Sequence, residues 1–189
     1  HLPGVLRAER FRAVPVRLRN GHRDRRLGLM GLEPEPELMR PMDEQLQPVE
    51  LPPDGLMLSE KLAEVLDVEP GEKLVVEALE GSRPVRDVPV AGVFCAFLGM
   101  SAYMNIHALN SVMREGPTVS GAFLSADENH LKTLYAQLKE TPQVAGVSLK
   151  NAAIRSFQET VAENMLRMQA FNVFFAVVIA FGVVYNSAR

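Results

Sequence analysis

The chain has 189 residues, with 20 Lys and Arg against 23 Asp and Glu, which gives a formal net charge of −3 at pH 7. This near balance excludes the strongly basic surface that proteins use to bind nucleic acid. Hydrophobic residues make up 47%, enough for one medium-sized domain or two small ones. The single cysteine, Cys95, excludes an internal disulfide and leaves the compartment open; its run VAGVFCAF predicts a small buried hydrophobe.

The first predicted element is a β-hairpin. Val14, Val16 and Leu18 alternate with polar residues and Pro15, the turn dipeptide Asn20-Gly21 follows, and Leu27 and Leu29 continue the pattern. Pro15 places the first strand at a sheet edge or bulge. Five arginines flank this turn and are interpreted as a solvated loop: Arg17, Arg19, Arg23, Arg25 and Arg26.

The segment from Glu33 to Met57 carries six prolines, at positions 34, 36, 41, 48, 52 and 53. So much proline forbids a long helix or a central strand, so we predict an extended boundary segment here. We expect this boundary to separate two lobes: residues 1–52 and 99–150 as a porter-like α/β lobe, and residues 53–98 as a small β-rich lobe inserted into it.

Within 53–98, Ser59 is predicted to cap a short helix that has Leu62, Val65 and Leu66 on one face. Pro70-Gly71 predicts a turn, Leu74 to Ala78 a strand, and Val85 to Phe97 one or two further strands. These connections are local, as expected of a small independent lobe.

After Gly99, Ile106, Leu109 and Met113 predict a helix, and Thr118 to Ser125 a strand. A helix capped by Asp127 and a strand over 143–149 complete a βαβ unit with parallel strands. The predicted fold class is therefore α+β. The core positions expected for this lobe are Leu109, Phe123, Leu131, Leu134, Leu138, Val144 and Val147.

The C-terminal part predicts a long helix with an apolar stripe. The stripe residues recur at intervals of 3, 4, 4 and 3 and are Ile154, Phe157, Val161, Met165 and Met168. We expect residues 151–170 to form a stalk helix that is exposed at Met165 and Met168 and packs there against a partner helix.

The stalk runs without a proline or glycine into an apolar tail, 171–189, interpreted as the truncated start of a transmembrane helix. Its apolar stretch from Asn172 to Ala188 has 17 residues. As a helix it would span about 26 Å, near the lower limit for a bilayer of roughly 30 Å. The proposed membrane residues are Phe171, Val173, Phe174, Phe175, Val177, Val178, Ile179, Phe181, Val183, Val184 and Tyr185. The alternative is a soluble α/β ligand-binding domain or enzyme whose C-terminal helix is buried.

Catalytic, cofactor and metal motifs are absent from the sequence. The four histidines, His1, His22, His107 and His130, share no ligand spacing with one another or with Cys95. There is no G-x-x-x-x-G-K-[ST] phosphate loop and no G-x-S-x-G elbow. We therefore expect a non-enzymatic chain with no cofactor, no metal site and no catalytic residues.

Three stretches resemble the FtsX/MacB-type permeases of ABC transporters. They are GLMLSEKLAEVLDVEPGEKLVVEALEG (55–81), AYMNIHALNSVMREGPTVSGAFL (102–124) and NVFFAVVIAFGVVYNSAR (172–189). The first two are similar to the MacB-like extracytoplasmic domain of these permeases, and the third to the start of the FtsX-like membrane domain. The first membrane helix of the family has no counterpart here, and the domain lacks its N-terminal strand and helix.

The resemblance implies an extracytoplasmic domain attached to the bacterial inner (cytoplasmic) membrane. It implies an ABC ATPase subunit, reached through parts of the permease that this sequence does not include, and a second permease copy as partners. An extracytoplasmic adaptor or a lipid-like substrate is a further possible partner. Export, lipoprotein release and signalling all occur on this layout, and the residues do not separate them.

Overall fold

The computed structural model describes residues 4–96 and 99–187, and the chain divides into two compact units, His1–Leu131 and Lys132–Arg189. The first unit contains two helices, α1 (Glu60–Leu66) and α2 (Ile106–Met113), and strands β1 (Val5–Asn20), β2 (Arg23–Leu32), β3 (Leu56–Ser59), β4 (Lys73–Ala78), β5 (Val85–Phe94), β6 (Ala102–Asn105) and β7 (Gly121–Ala126). Helix α3 (Leu131–Glu140) begins at the boundary, and α4 (Lys150–Ser187) lies in the second unit. The predicted mixed α+β class is confirmed.

Six strands of the first unit close into a ring. Their order is β2-β6-β3-β5-β4-β1, and β1 also pairs with β2, which completes the circuit. The pairs β2–β6 and β3–β5 are parallel and the others are antiparallel. Strand β7 pairs antiparallel with the N-terminal half of β1, outside the ring. The 16-residue β1 therefore serves both the ring and this short ribbon.

The main core fills the interior of the ring. Alternate residues Val14, Val16 and Leu18 of β1 are buried there, as the hairpin pattern predicts. Helices α1 and α2 add side chains to the same cluster, among them Leu62, Leu66, Leu109 and Met113. Sequence alternation thus identifies correctly which face of β1 points inward.

The predicted hairpin is confirmed. Asn20 pairs with Arg23, so the turn holds only Gly21 and His22, and Gly21 adopts a φ of 57° that suits glycine. The Asn20 side chain donates through Nδ2 to the carbonyl oxygens of Leu66 (3.1 Å) and Asp67 (2.8 Å). It thereby satisfies carbonyl groups left free at the end of α1.

The separate β-rich lobe predicted for residues 53–98 is wrong. Strands β3, β4 and β5 belong to the same sheet as the strands on either side of that range. Val16 pairs with Ala78 and Leu58 with Ala102, and these pairings join the two predicted lobes into one ring. Strand pairing between residues so distant in sequence leaves no local sequence pattern. The proline content of the segment before residue 57 was therefore interpreted as a boundary between lobes.

The βαβ unit predicted for 118–149 is also wrong. Residues 143–149 form no strand, and β7 pairs with β1 instead of a following parallel strand. The parallel pairs involve β3 and β6, two four-residue apolar strands that show no alternation by which to recognise them. Of the predicted core positions, Leu109 and Leu134 are buried, whereas the other five are half-buried: Phe123, Leu131, Leu138, Val144 and Val147.

Ser59 precedes α1 as predicted, but its side chain does not cap the helix. The buried Ser59 hydroxyl accepts a hydrogen bond from the Ser101 backbone N–H at 3.0 Å, and the Ser59 N–H donates to the Ser101 carbonyl at 2.9 Å. The hydroxyl therefore links β3 to the residue just before β6.

Candidate interaction helix

Helix α4 is a single element of 38 residues, from Lys150 to Ser187. At 1.5 Å per residue its length is roughly 57 Å. An ion pair between Arg167 Nη2 and Glu163 Oε1 at 2.7 Å, one turn apart, supports the helix, as does a hydrogen bond from the Thr160 hydroxyl to the Ser156 carbonyl. Helix α4 includes the predicted stalk range and extends into the apolar tail as far as Ser187.

The predicted stripe lies on the surface of α4. Ile154, Phe157, Val161, Met165 and Met168 are all exposed, by fractions that run from 39% at Val161 to 70% at Phe157. Apolar side chains at helical spacing normally pack against another element. Five large apolar side chains that are exposed along one face of the helix therefore mark this face as a candidate interaction site.

The proposed membrane residues continue the exposed apolar surface. It includes Phe171, Val173, Phe174, Phe175, Val177, Val178 and Ile179, and the rings of Phe174 and Phe175 meet edge to face at 6.0 Å. The side chains of Phe181, Val183, Val184 and Tyr185 lie outside the described part of the helix. Among the described residues, no helix combines the length and apolar content needed to cross a membrane.

Cys95 is not the buried hydrophobe that its sequence context predicts. Its thiol is half-buried and donates to Glu60 Oε2 at 3.1 Å. The hydrogen bond to this carboxylate, followed by desolvation, raises the pKa of the Cys95 thiol. A raised pKa favours the protonated thiol, whereas nucleophiles and metal ligands are thiolates.

Glu44, Glu60 and Cys95 form the one cluster of three possible metal ligands within residues 4–96 and 99–187. Both carboxylates are exposed. The raised pKa of the Cys95 thiol disfavours the thiolate form that would bind a metal ion. The contact was missed in the sequence because Cys95 and Glu60 are 35 residues apart and belong to no spacing motif. The cluster is an acidic surface patch with a hydrogen-bonded thiol.

The described histidines do not form a ligand set. His130 Nδ1 lies 3.4 Å from Asp127 Oδ2, and His107 is exposed on α2. His1 lies outside the described residues. A shallow depression of about 450 Å³ beside β5 and α2 is lined by mixed side chains that include Arg86, Asp87 and Met104. Its lining resembles ordinary protein surface more than a catalytic cleft.

Comparisons with known proteins find no matching family model and no matching curated sequence. The structure is similar to the extracellular domain of the noncanonic ABC-type transporter YknZ from Gram-positive bacteria, with a TM-score of 0.49 and 16% identity over 71% of this chain and 72% of that one. It is also similar to the periplasmic region of MacB from Actinobacillus actinomycetemcomitans, with a TM-score of 0.45 and 13% identity over 72% and 67% of the two chains.

At these identities and TM-scores the likeness transfers neither function nor residue roles. Both solved structures are described as regions that lie outside the cytoplasm.

Proposed function

We propose that this chain is the extracytoplasmic domain of an ABC transporter permease and acts as a mechanical relay. Motion driven by a separate ATPase passes along α4 and reaches a domain that engages a substrate or an extracytoplasmic partner. The resemblance of residues 55–81, 102–124 and 172–189 to such permeases supports this role.

The observation that carries the proposal is the form of α4. It runs for 38 residues without interruption, and the described side chains from Ile154 to Ala180 are exposed. An uninterrupted helix is stiff and transmits displacement along its axis, whereas an exposed apolar surface needs a neighbour or lipid. Together these properties suit a stalk better than an element of a soluble core.

The partners follow from the same proposal. The ATPase subunit acts through parts of the permease beyond this sequence, and a second permease copy covers the stripe near Met165 and Met168. Residues 171–189 begin the span in the bacterial inner membrane, with the rest of the domain on its extracytoplasmic side. The chain itself is non-catalytic and binds no nucleic acid, in keeping with its balanced charge.

The alternative function is a soluble ligand-binding domain or enzyme with a buried C-terminal helix. Helix α4 does not have the burial that this alternative requires, because Phe157, Met165 and Phe171 are each more than 60% exposed. The relay is therefore the better account of this helix.

The test is a proline placed inside α4 in the complete permease with its ATPase. Val161→Pro removes one backbone hydrogen bond and creates a steric clash one turn earlier, which kinks or breaks the helix. We expect ATP hydrolysis to persist while transport, or the equivalent output, is lost. Lys150→Pro is the matched control, because a first helical position tolerates proline. Unchanged coupling in Val161→Pro would refute the relay.

A further inference from the structure

The proline-rich segment Glu33–Asp54, here called the strap, covers an apolar patch on the outside of the strand ring. Its residues Met39, Val49 and Leu51 pack into a second hydrophobic cluster, distinct from the interior core. The ring strands, β7 and the residues just after β5 supply the other members: Phe11, Met30, Leu32, Met57, Phe94, Ala96, Tyr103 and Phe123. Two aromatic pairs lie in this patch, Phe11 with Phe123 at 4.5 Å and Phe94 with Tyr103 at 5.9 Å between ring centroids.

The strap is ordered by its own contacts more than by the sheet. It contains no helix and no named strand. Among the described residues, its one backbone pairing outside the strap is an isolated bridge between Asp43 and Ala96, which lies just beyond the end of β5. The Asp43 carboxylate accepts from the backbone N–H groups of Gln45 (2.9 Å) and Gln47 (2.8 Å), and the Val49 N–H donates to the Pro41 carbonyl at 2.9 Å. These local bonds can persist when the strap leaves the ring.

Glu9 is the main polar anchor of the strap. This β1 residue is only 3% exposed. Its Oε1 accepts from the Glu37 backbone N–H at 2.9 Å, and its Oε2 accepts from the Leu38 N–H at 2.8 Å. The Arg7 guanidinium donates to the same carboxylate at 2.7 Å. Charge-assisted bonds of this kind are roughly twice as strong as neutral ones.

The groups around Glu9 define its electrostatics. Burial opposes ionisation, but the two backbone hydrogen bonds and the Arg7 guanidinium outweigh it, so the pKa of Glu9 is lowered. From the strap, the Glu37 carboxylate pairs with Arg7 at 2.6 Å and Glu33 pairs with Arg10 at 2.9 Å. Strand β7, which pairs with this part of β1, contributes no titratable side chain.

We infer that the strap is a releasable cover and that Glu9 is its latch. Released, the strap moves as a unit while the ring stays folded, and the patch of Phe11, Met30, Met57 and Phe94 becomes accessible. Segments held by few backbone bonds open at lower free energy than ring strands paired on both sides. Loss of the Glu9 charge weakens the hydrogen bonds to Glu37 and Leu38 together, and so favours the open form.

The experiment measures amide hydrogen exchange of the full chain, in whatever detergent it requires, for wild type and Glu9→Gln. We expect exchange at Glu37 and Leu38 to become about tenfold faster or more in the variant, while the amides of β4 keep their wild-type rates. Glu33→Gln is the matched control, because it removes an Arg-paired carboxylate without touching the latch. The negative charges of Asp43 and Glu44 in the strap contribute to the raised pKa of the Cys95 thiol. Release of the strap removes this contribution, so alkylation of Cys95 should also become faster in Glu9→Gln.

Unchanged exchange at Glu37 and Leu38 in Glu9→Gln would overturn the latch. If that variant fails to fold, exchange of the wild-type chain at low denaturant concentrations decides the question. Strap amides that exchange at lower denaturant than β4 amides support a releasable cover. Strap and β4 amides with the same denaturant dependence would show one cooperative unit and contradict it.

Discussion

Arg12 Nη2 lies 2.9 Å from Glu115 Oε2, and this contact joins β1 to the loop that follows α2 across 103 residues of sequence. The same nitrogen lies 3.0 Å from Glu80 Oε1, in the turn after β4. The Arg12 side chain is only 11% exposed. One guanidinium therefore pairs with two carboxylates and links β1 both to the turn after β4 and to the loop after α2.

Replacing Arg12 by alanine should destabilise the first unit. The change leaves Glu80 and Glu115 close together without a cation, and both are partly exposed, so solvent reduces the effect to about 1–3 kcal/mol. The free energy of unfolding from urea titrations of the full chain measures it. Arg10→Ala is the control, because its pair with Glu33 is more exposed and should contribute less than about 1 kcal/mol. Equal losses in the two variants would contradict the role assigned to Arg12.

Two glycines of β2 make a matched pair for testing how α2 packs on the ring. A Cβ added at Gly31 would lie 2.8 Å from Leu109 Cδ2 and 3.2 Å from the Ile106 Cα, whereas one added at Gly28 meets nothing within 4 Å. We expect Gly31→Ala to cost about 1–3 kcal/mol by overpacking, and Gly28→Ala to be neutral or slightly stabilising. Thermal unfolding of both variants gives the comparison. A neutral Gly31→Ala would mean that α2 packs less closely than described.

Acidification should open the strap through Glu9. The pKa of Glu9 in the folded state is lowered from its ordinary value of 4.5, so its contribution is complete above that value. It is lost as pH falls below 4.5 and through the folded-state pKa, because protonation then favours the open form. Protection of the Leu38 amide, corrected for intrinsic exchange, should therefore decline over this range in wild type and not in Glu9→Gln. Parallel declines in both proteins would assign the effect to other carboxylates, such as Asp127, whose pKa is also lowered, first by the Asn129 N–H.

Removing the apolar tail should leave the remaining chain folded. A fragment that ends at Met168 lacks Phe171, Phe174 and Phe175, whose exposed side chains make no core in the described structure. We expect it to keep its thermal midpoint and to be more soluble than the full chain, which should self-associate or need detergent. Thermal melts and sedimentation of both chains make the comparison. Loss of the cooperative melt in the fragment would support the soluble alternative with a buried C-terminal helix.

The sequence predicted those elements that follow from short-range physics. Alternation identified β1, β2 and β4, and helical spacing identified α2 and the stripe of α4. Strands β3 and β6 were not predicted, because each has only four residues and apolar side chains on both faces. In β3, for example, Leu58 belongs to the interior cluster and Met57 to the second cluster outside the ring. The contacts of Glu9 with Leu38 and of Cys95 with Glu60 likewise depend on the closed ring, which no local pattern specifies.

The central claim is tested most directly by the location of the first unit in intact cells. Ser82 lies in the exposed turn between β4 and β5, and Cys95 is the one cysteine of this sequence. Ser82→Cys in a Cys95→Ser background, with any cysteine elsewhere in the complete protein also replaced by serine, therefore carries a single reporter thiol. The complete protein with these substitutions is expressed and treated with a membrane-impermeant maleimide. An extracytoplasmic domain predicts labelling of intact cells to the same extent as of broken ones. Labelling that appears only after the cells are broken would contradict the proposed function.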